Sequence, residues 1–317
     1  MVNCTGYGNA SNITAIRITF VYNSPFVLFI FLLNIFLVIT AILGNTLILI
    51  ALNKVSSIHP PTKLLFRCLA VTDLCVGLIA QPLCIVYLLL RVILSKKWSE
   101  IFLLFKSWET LNFILCGVSF VTAAAISVDR FLALSLGLRY RHTVTPKRVA
   151  AVIAFLWLTC ISIGVINIFW SLYIAGSASF VLGVISLFIS VFSYSKIVLT
   201  LRKRQVQVQP HFRREQSFDR EIPLNIARYK KSVYSIAWVQ FAMVVCYLPL
   251  VVFLLMLTSP MVEFGEFGYE AKFFFMLCSL TTTYLNSSLN PILYCWKIPE
   301  VKEAIKNTVK HICCPVN

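Results

Sequence analysis

Two acids stand in stretches of sequence otherwise almost free of charge. Asp73 lies in "LAVTDL", and Asp129, followed at once by Arg130, lies in "AAAISVDRFLAL". Similar apolar settings hold Asn45 in "LGNTLIL", Asn112 and Ser119 upstream of Asp129, and Asn286, Ser287, Ser288 and Asn290 in "YLNSSLNPILY". A polar group in such surroundings is costly and needs partners. Asp73 with Asn45, Ser119, Asn286 and Asn290 makes a set of oxygen-bearing side chains suited to a small hard cation such as Na⁺, completed by water. The same groups also suit a hydrogen-bonded network around a protonated Asp73, and composition does not choose between the two. Asp129 and Arg130 place an acid and a base at the rim of an apolar run.

The elements that must position these groups are membrane helices. The chain has 317 residues, 59% hydrophobic and 13% charged, against about 25% charged in soluble domains. Seven apolar stretches are long enough to span about 30 Å of hydrocarbon as helices: Phe26–Leu52, Leu64–Leu90, Phe102–Leu134, Val149–Phe169, Ala178–Leu201, Val233–Leu257 and Phe273–Trp296. Barrel strands would alternate with period two, and these stretches do not. The fold class is therefore an all-α membrane protein, a seven-transmembrane helix bundle. A short amphipathic eighth helix follows in "KIPEVKEAIKNTVKHICC", with Val301, Ala304, Ile305 and Val309 on one face and Lys302, Lys306 and Lys310 on another.

The net charge of +16 points to topology rather than to nucleic acid. With the N-terminus outside, Arg17, Arg91, Lys96, Lys97, Lys106 and Lys272 are the outer basic residues, which leaves 22 of the 28 Lys and Arg inside. The domains are then an outer tail over 1–25, a membrane body over 26–296, and an amphipathic helix with a cytoplasmic tail over 297–317. The outer tail has no cleavable signal pattern and carries glycosylation sequons at Asn3, Asn9 and Asn12. The long inner loop, roughly Lys203 to Lys231, is polar and basic. Of eleven cysteines, Cys68, Cys75, Cys84, Cys116, Cys160, Cys246, Cys278 and Cys295 fall in spans as small apolar fillers, and Cys4 lies outside. Cys313 and Cys314 close the inner helix, as palmitoylation sites or as idle thiols.

Taken in order, Gly44-Asn45, Leu69-Ala70 with Asp73, Asp129-Arg130-Phe131, Trp157, Tyr194, Cys246 with Pro249, and Asn290-Pro291 with Tyr294 resemble the rhodopsin-like (class A) G-protein-coupled receptors over nearly the whole chain. The resemblance implies a receptor at the plasma membrane that binds an extracellular small molecule, lipid or peptide and activates a heterotrimeric G protein. Arrestin and a receptor kinase are the further partners it implies. Arg130 would pair with Asp129 at rest and turn to the G-protein cavity on activation, a suitable use of a buried pair that stabilises little. Pro291 would let the seventh helix kink, swinging Tyr294 towards Tyr194 and Arg130, and Pro249 would bend the sixth. No cofactor is implied beyond allosteric Na⁺ at Asp73.

Several positions depart from the family. The usual outer disulfide is missing on both sides, with Phe105 on the third span and a short outer loop, "WSLYIAGSAS", without cysteine. Ser186 replaces the proline of span five. These features resemble the melanocortin and lipid-receptor branch. Tyr229 stands where an acid usually faces the arginine. Tyr247 replaces the switch tryptophan, and Met243 and Phe120 alter the relay beneath the ligand site. Amine receptors carry an aspartate where Asn112 stands, which disfavours a simple monoamine. Opsins carry a lysine where Tyr284 stands, which disfavours retinal. Glu109, Asn112, Cys116, Tyr247 and Tyr284 are the pocket candidates, Glu109 either meeting a cationic ligand group or standing as a solvated rim charge paired with Lys106. The rival class is a transporter or channel, which would need polar residues through the whole bundle and repeats that are not apparent. An enzyme is disfavoured, since His59, His142, His211 and His311 all fall in inner loops or the tail.

Overall fold

The computed structural model describes residues 25–94, 96–212, 241–256, 266–297 and 299–313. Asn3, Cys4, Asn9, Asn12, Tyr229 and Cys314 lie outside them, as do the side chains of Tyr294 and Cys313. The described residues fold into helices: α1 Pro25–Lys54, α2 Pro60–Arg91, α3 Trp98–Leu136, α4 Pro146–Phe169, α5 Leu172–Phe212, α6 Phe241–Met256, α7 Glu266–Lys297 and α8 Pro299–Cys313. A single turn of helix, Tyr140–Thr143, lies between α3 and α4. By length and composition α1 to α5 are each able to cross a membrane. Their lipid-type faces show as exposed apolar side chains, among them Phe155, Leu158 and Phe169 on α4 and Phe188 and Phe192 on α5. The end of the bundle that holds the start of α1 and α3 is called upper below, and the end that holds Asp129 lower.

Local sequence sets the helix ends. Pro60, Pro61 and Pro146 occupy first-turn positions, where a missing N–H costs nothing. Thr145 caps α4, its hydroxyl accepting from Arg148 N at 3.4 Å. Gly137, at φ +53, ends α3 in a conformation other residues resist. In α2 the turn before Pro82 widens over Val76–Ala80, so Gln81 N–H reaches Val76 O, five residues back. Proline lacks an N–H and crowds the carbonyl four residues back, which makes a wide turn the less strained path. A second wide turn, Leu89–Ile93, ends the helix.

Helix α3 runs through the middle and packs on α2, α4 and α5, while α1 packs on α2, α7 and α8. Two expectations are corrected. The loop expected over "WSLYIAGSAS" is mostly helix: α4 ends at Phe169 and α5 starts at Leu172, with Ser171 Oγ accepting from Ile174 N at 3.2 Å. The run is rich in small helix-compatible residues, and Ala175 packs fully buried, so only Trp170 and Ser171 link the helices. On α8, Val301 packs against Ile48, Ala51 and Leu52 of α1, with Ala304 and Ile305 beside it. Val309, however, faces away at 39% exposure, and Thr308 takes the packed place. At about 3.6 residues per turn a step of seven returns to the same face and a step of eight overshoots it.

Candidate functional site

The polar residues form layers along the bundle. At the lower end Asp129, on the last turns of α3, is buried. Its Oδ2 meets Arg130 Nη2 at 2.5 Å and Nε at 3.2 Å, and accepts from Thr62 Oγ1 at 2.9 Å. Its Oδ1 accepts from the Tyr140 hydroxyl at 2.5 Å. Arg130 also donates to Thr62. The expected pair is thus present, and two residues not singled out in the sequence hold it: Thr62 from the first turn of α2 and Tyr140 from the turn after α3. Tyr194 is half-buried on α5.

In the middle layer Asp73 is fully buried. Oδ1 accepts from Ser119 at 2.7 Å and Ser287 at 2.8 Å, and Oδ2 from Asn290 Nδ2 at 2.7 Å. Three donors on two oxygens leave lone-pair capacity on the carboxylate. Two of the expected partners are placed differently. Asn45 donates to Ala41 O and to Ser287 O at 3.1 Å and does not reach the carboxylate, and its Oδ1 is buried without a partner. Asn286 Nδ2 is likewise buried and unpartnered, and Ser287 takes the place expected for Asn286. A carboxylate with spare lone pairs, two hydroxyls on it and an orphaned amide oxygen on Asn45, which itself bonds Ser287 O, are the oxygen types that suit a hard cation. Among the described residues no three His, Cys, Asp or Glu side chains gather as a metal cluster. Beside this layer α1 and α7 touch: a Cβ on Gly44 would stand 2.7 Å from Cγ of Pro291, so only glycine admits the proline at this depth.

The upper half holds a cavity of about 550 Å³ bounded by α2 to α7, within the range of small-ligand sites. Glu109, Asn112, Cys116 and Tyr247 line it, as expected. Tyr284 does not. It is fully buried behind the wall, its hydroxyl donating to Asn112 Oδ1 at 2.7 Å and accepting from Trp108 Nε1 at 3.1 Å. Glu109 is no solvated rim charge either, since its side chain is 12% exposed. Its Oε2 accepts from Lys106 at 3.2 Å and from Asn167 at 3.1 Å. The floor is Phe120 stacked on Tyr247, ring centres 4.2 Å apart, with Met243 against them. The Tyr247 hydroxyl is buried and unpartnered, with Ser119 and Asp73 among the groups around it. Phe105, marked in the sequence only as a missing cysteine, sits in an aromatic group with Tyr87, Trp98 and Trp108 at centroid distances of 5.0 to 5.7 Å.

The family model for the 7 transmembrane receptor (rhodopsin family) matches residues 44–177 and 167–294, which takes in all three layers. The chain belongs to this family. It is similar to the histamine H2 receptor of Cavia porcellus, 31% identical over 134 residues that make up 42% of this chain and 36% of that protein. It is also similar to 5-hydroxytryptamine receptor 1E of Homo sapiens, 29% identical over 126 residues, 40% of this chain and 33% of that one. The matched segments thus span about a third of those relatives. Both are named for amines, and neither match supports the melanocortin branch that the missing disulfide suggested.

Proposed function

We propose that the chain is a receptor of the plasma membrane, N-terminus outside, that takes a ligand in the upper cavity and activates a heterotrimeric G protein at the lower end. The observation that carries this reading is the Asp129–Arg130 pair, locked by Thr62 and Tyr140 at the opposite end of the bundle from the cavity. Breaking the lock would free an arginine, and a kink that Pro291 permits and a bend that Pro249 permits would supply the movement. Arg130, Tyr194, Asn290, Pro291 and Tyr294 are the moving parts. Lys54, Lys63, Arg67, Arg139, Arg141 and Arg148 lie near the Asp129 end, as the inner side of the membrane favours. Arrestin and a receptor kinase would use the same face. The protein's work on this reading is signal transfer rather than catalysis, and a transporter or channel lacks support in the family match.

The relatives' names point to histamine and 5-hydroxytryptamine. Asn112 stands where the amine receptors carry an acid, and its amide is committed to Trp108 O and Tyr284, which argues against a simple monoamine here. The Asp73 layer is assigned to Na⁺, held by the carboxylate, Ser119 and Asn45 Oδ1. The ion would favour the resting state and supply positive charge there. The outer tail would be glycosylated at Asn3, Asn9 and Asn12, and the inner tail acylated at Cys313 and Cys314. The deciding experiment is ligand-independent nucleotide exchange by a G-protein panel on membranes carrying the full chain. Asp129→Asn should raise it and Arg130→Ala should abolish it at equal surface expression. Full signalling by Arg130→Ala would refute the reading.

A further inference from the structure

The charges on the cavity wall are already answered from within the protein. Of the residues that line it, Glu109 and Lys272 carry charge. Glu109 is paired with Lys106 and bonded to Asn167, both through Oε2. Lys272 has an interaction of its own. Asn112, deeper in, spends its amide N–H on Trp108 O at 2.8 Å, while its Oδ1 accepts from Tyr284 and, at 3.5 Å, from Cys116 Sγ. What remains facing the space is mostly aromatic and aliphatic, with Phe105, Phe113, Phe253 and Phe273 among the rings. A cation entering here would lose its hydration and find the one lining acid already paired, and an anion would find a lysine that is not free, so desolvation of either ion goes largely uncompensated. An uncharged ring system would lose nothing of the kind and would gain stacking contacts. Polar atoms of the lining that make no hydrogen bond among the described residues include the Tyr247 hydroxyl at the floor and Glu109 Oε1, and of these the charged Glu109 oxygen is the stronger acceptor.

We propose that the cavity takes an uncharged, largely aromatic or polycyclic molecule carrying a hydrogen-bond donor that meets Oε1 of Glu109. The inference rests on reading the cavity as a ligand site, and it concerns binding alone, so it is tested without a G protein.

Three fluorescent probes share one ring system and differ only at the end of the chain: pyrenebutanol, pyrenebutanoate and pyrenebutylammonium. Trp98 and Trp108 line the cavity, so energy transfer from tryptophan to pyrene reports occupancy in the full chain reconstituted in bilayers. The specific part is what disappears in Gly183→Phe, whose added side chain starts 3.2 Å from Val251 and 3.7 Å from Phe120. Ser179→Phe is the second filling variant, with folding of both checked by circular dichroism. Pyrenebutanol should give saturable transfer at an affinity at least about tenfold above either charged probe. Glu109→Gln, which keeps an acceptor oxygen, should hold its affinity within about threefold, and Glu109→Leu should lose about tenfold, one hydrogen bond to a charged acceptor. Tightest binding by pyrenebutylammonium, lost in Glu109→Gln, would make this a cation site and overturn the proposal. Tightest binding by pyrenebutanoate, or no saturable transfer from any probe in folded wild type, would overturn it as well. If pyrenebutanol binds as stated while no G protein responds, the receptor reading fails and this one stands.

Discussion

Asp129 is held by bonds of unequal origin, and each can be cut alone. Thr62→Val removes the hydroxyl on Oδ2 and Tyr140→Phe the one on Oδ1. Hydrogen bonds to charged groups contribute about 1.5–3 kcal/mol, so each cut should shift the resting equilibrium by roughly tenfold or more, with ligand-independent nucleotide exchange rising to match. No rise in either variant at equal surface expression would mean that both bonds survive activation. At Asp73 the prediction runs through an ion. If Na⁺ sits with the resting state, it lowers agonist affinity, and agonist lowers Na⁺ affinity by the same factor. Coupling of this kind is about 1–3 kcal/mol, roughly 5- to 150-fold. Binding of an agonist found by screening is compared in NaCl and in an N-methylglucamine salt of equal ionic strength. Asp73→Asn should erase the difference, and an identical response in wild type and variant would make Asp73 purely structural. Asp73, Ser119 and Asn290 were legible in the sequence because polar side chains stand out against an apolar background. Ser287 and Asn286 were not separable, since adjacent residues differ by about 100° around a helix and small rotations of α7 decide which one faces Asp73. Thr62 and Tyr140 were invisible for the opposite reason: they lie in polar segments, where a hydroxyl draws no notice.

At the scale of elements, α1 and α7 meet through Gly44 and Pro291. A Cβ there would stand 2.7 Å from Cγ of a proline ring, which has no flexible end to move aside. Gly44→Ala should push the helices apart and destabilise the fold by about 1–3 kcal/mol, read as a lower thermal midpoint of the solubilised protein. An unchanged midpoint would show that α1 slides freely. The positions of α1 to α5 followed from apolar length alone, but their ends did not. The link between α4 and α5 looked like a loop because Ser and Gly are common in loops. Packing of Ala175 and a serine cap make it helix instead. The wide turn of α2 left no sequence sign beyond Pro82. Phe105 is the clearest case. The sequence showed a missing disulfide, while the replacement, ring contacts among Tyr87, Trp98 and Trp108, could not be picked out from a chain that is 14% aromatic.

For the molecule as a whole, the described residues of the upper end are joined by contacts rather than by covalent bonds. Cys68, Cys75, Cys84, Cys116, Cys160, Cys246 and Cys278 are all free thiols. Mild reductant should leave the thermal midpoint and ligand response unchanged, whereas Phe105→Ala should lower the midpoint, at a cost below the roughly 3–5 kcal/mol of a fully buried Phe because Phe105 is only partly buried. A large loss of response under reductant would reveal a bond to Cys4 or another thiol beyond the described residues. The eighth helix closes the other end: Val301 fits against Ile48, Ala51 and Leu52, and Lys54 Nζ donates to Thr308 Oγ1 at 2.9 Å.

That closure joins residues 254 positions apart, and it sets an order of events during biosynthesis. Helix α1 leaves the ribosome before the other described helices, yet two of those it packs on, α7 and α8, follow all the rest. At about 5–20 residues per second the first helix waits on the order of ten to fifty seconds for them. Throughout that interval, of the described helices that α1 packs on along its lower half, α2 alone stands beside the glycine notch at Gly44.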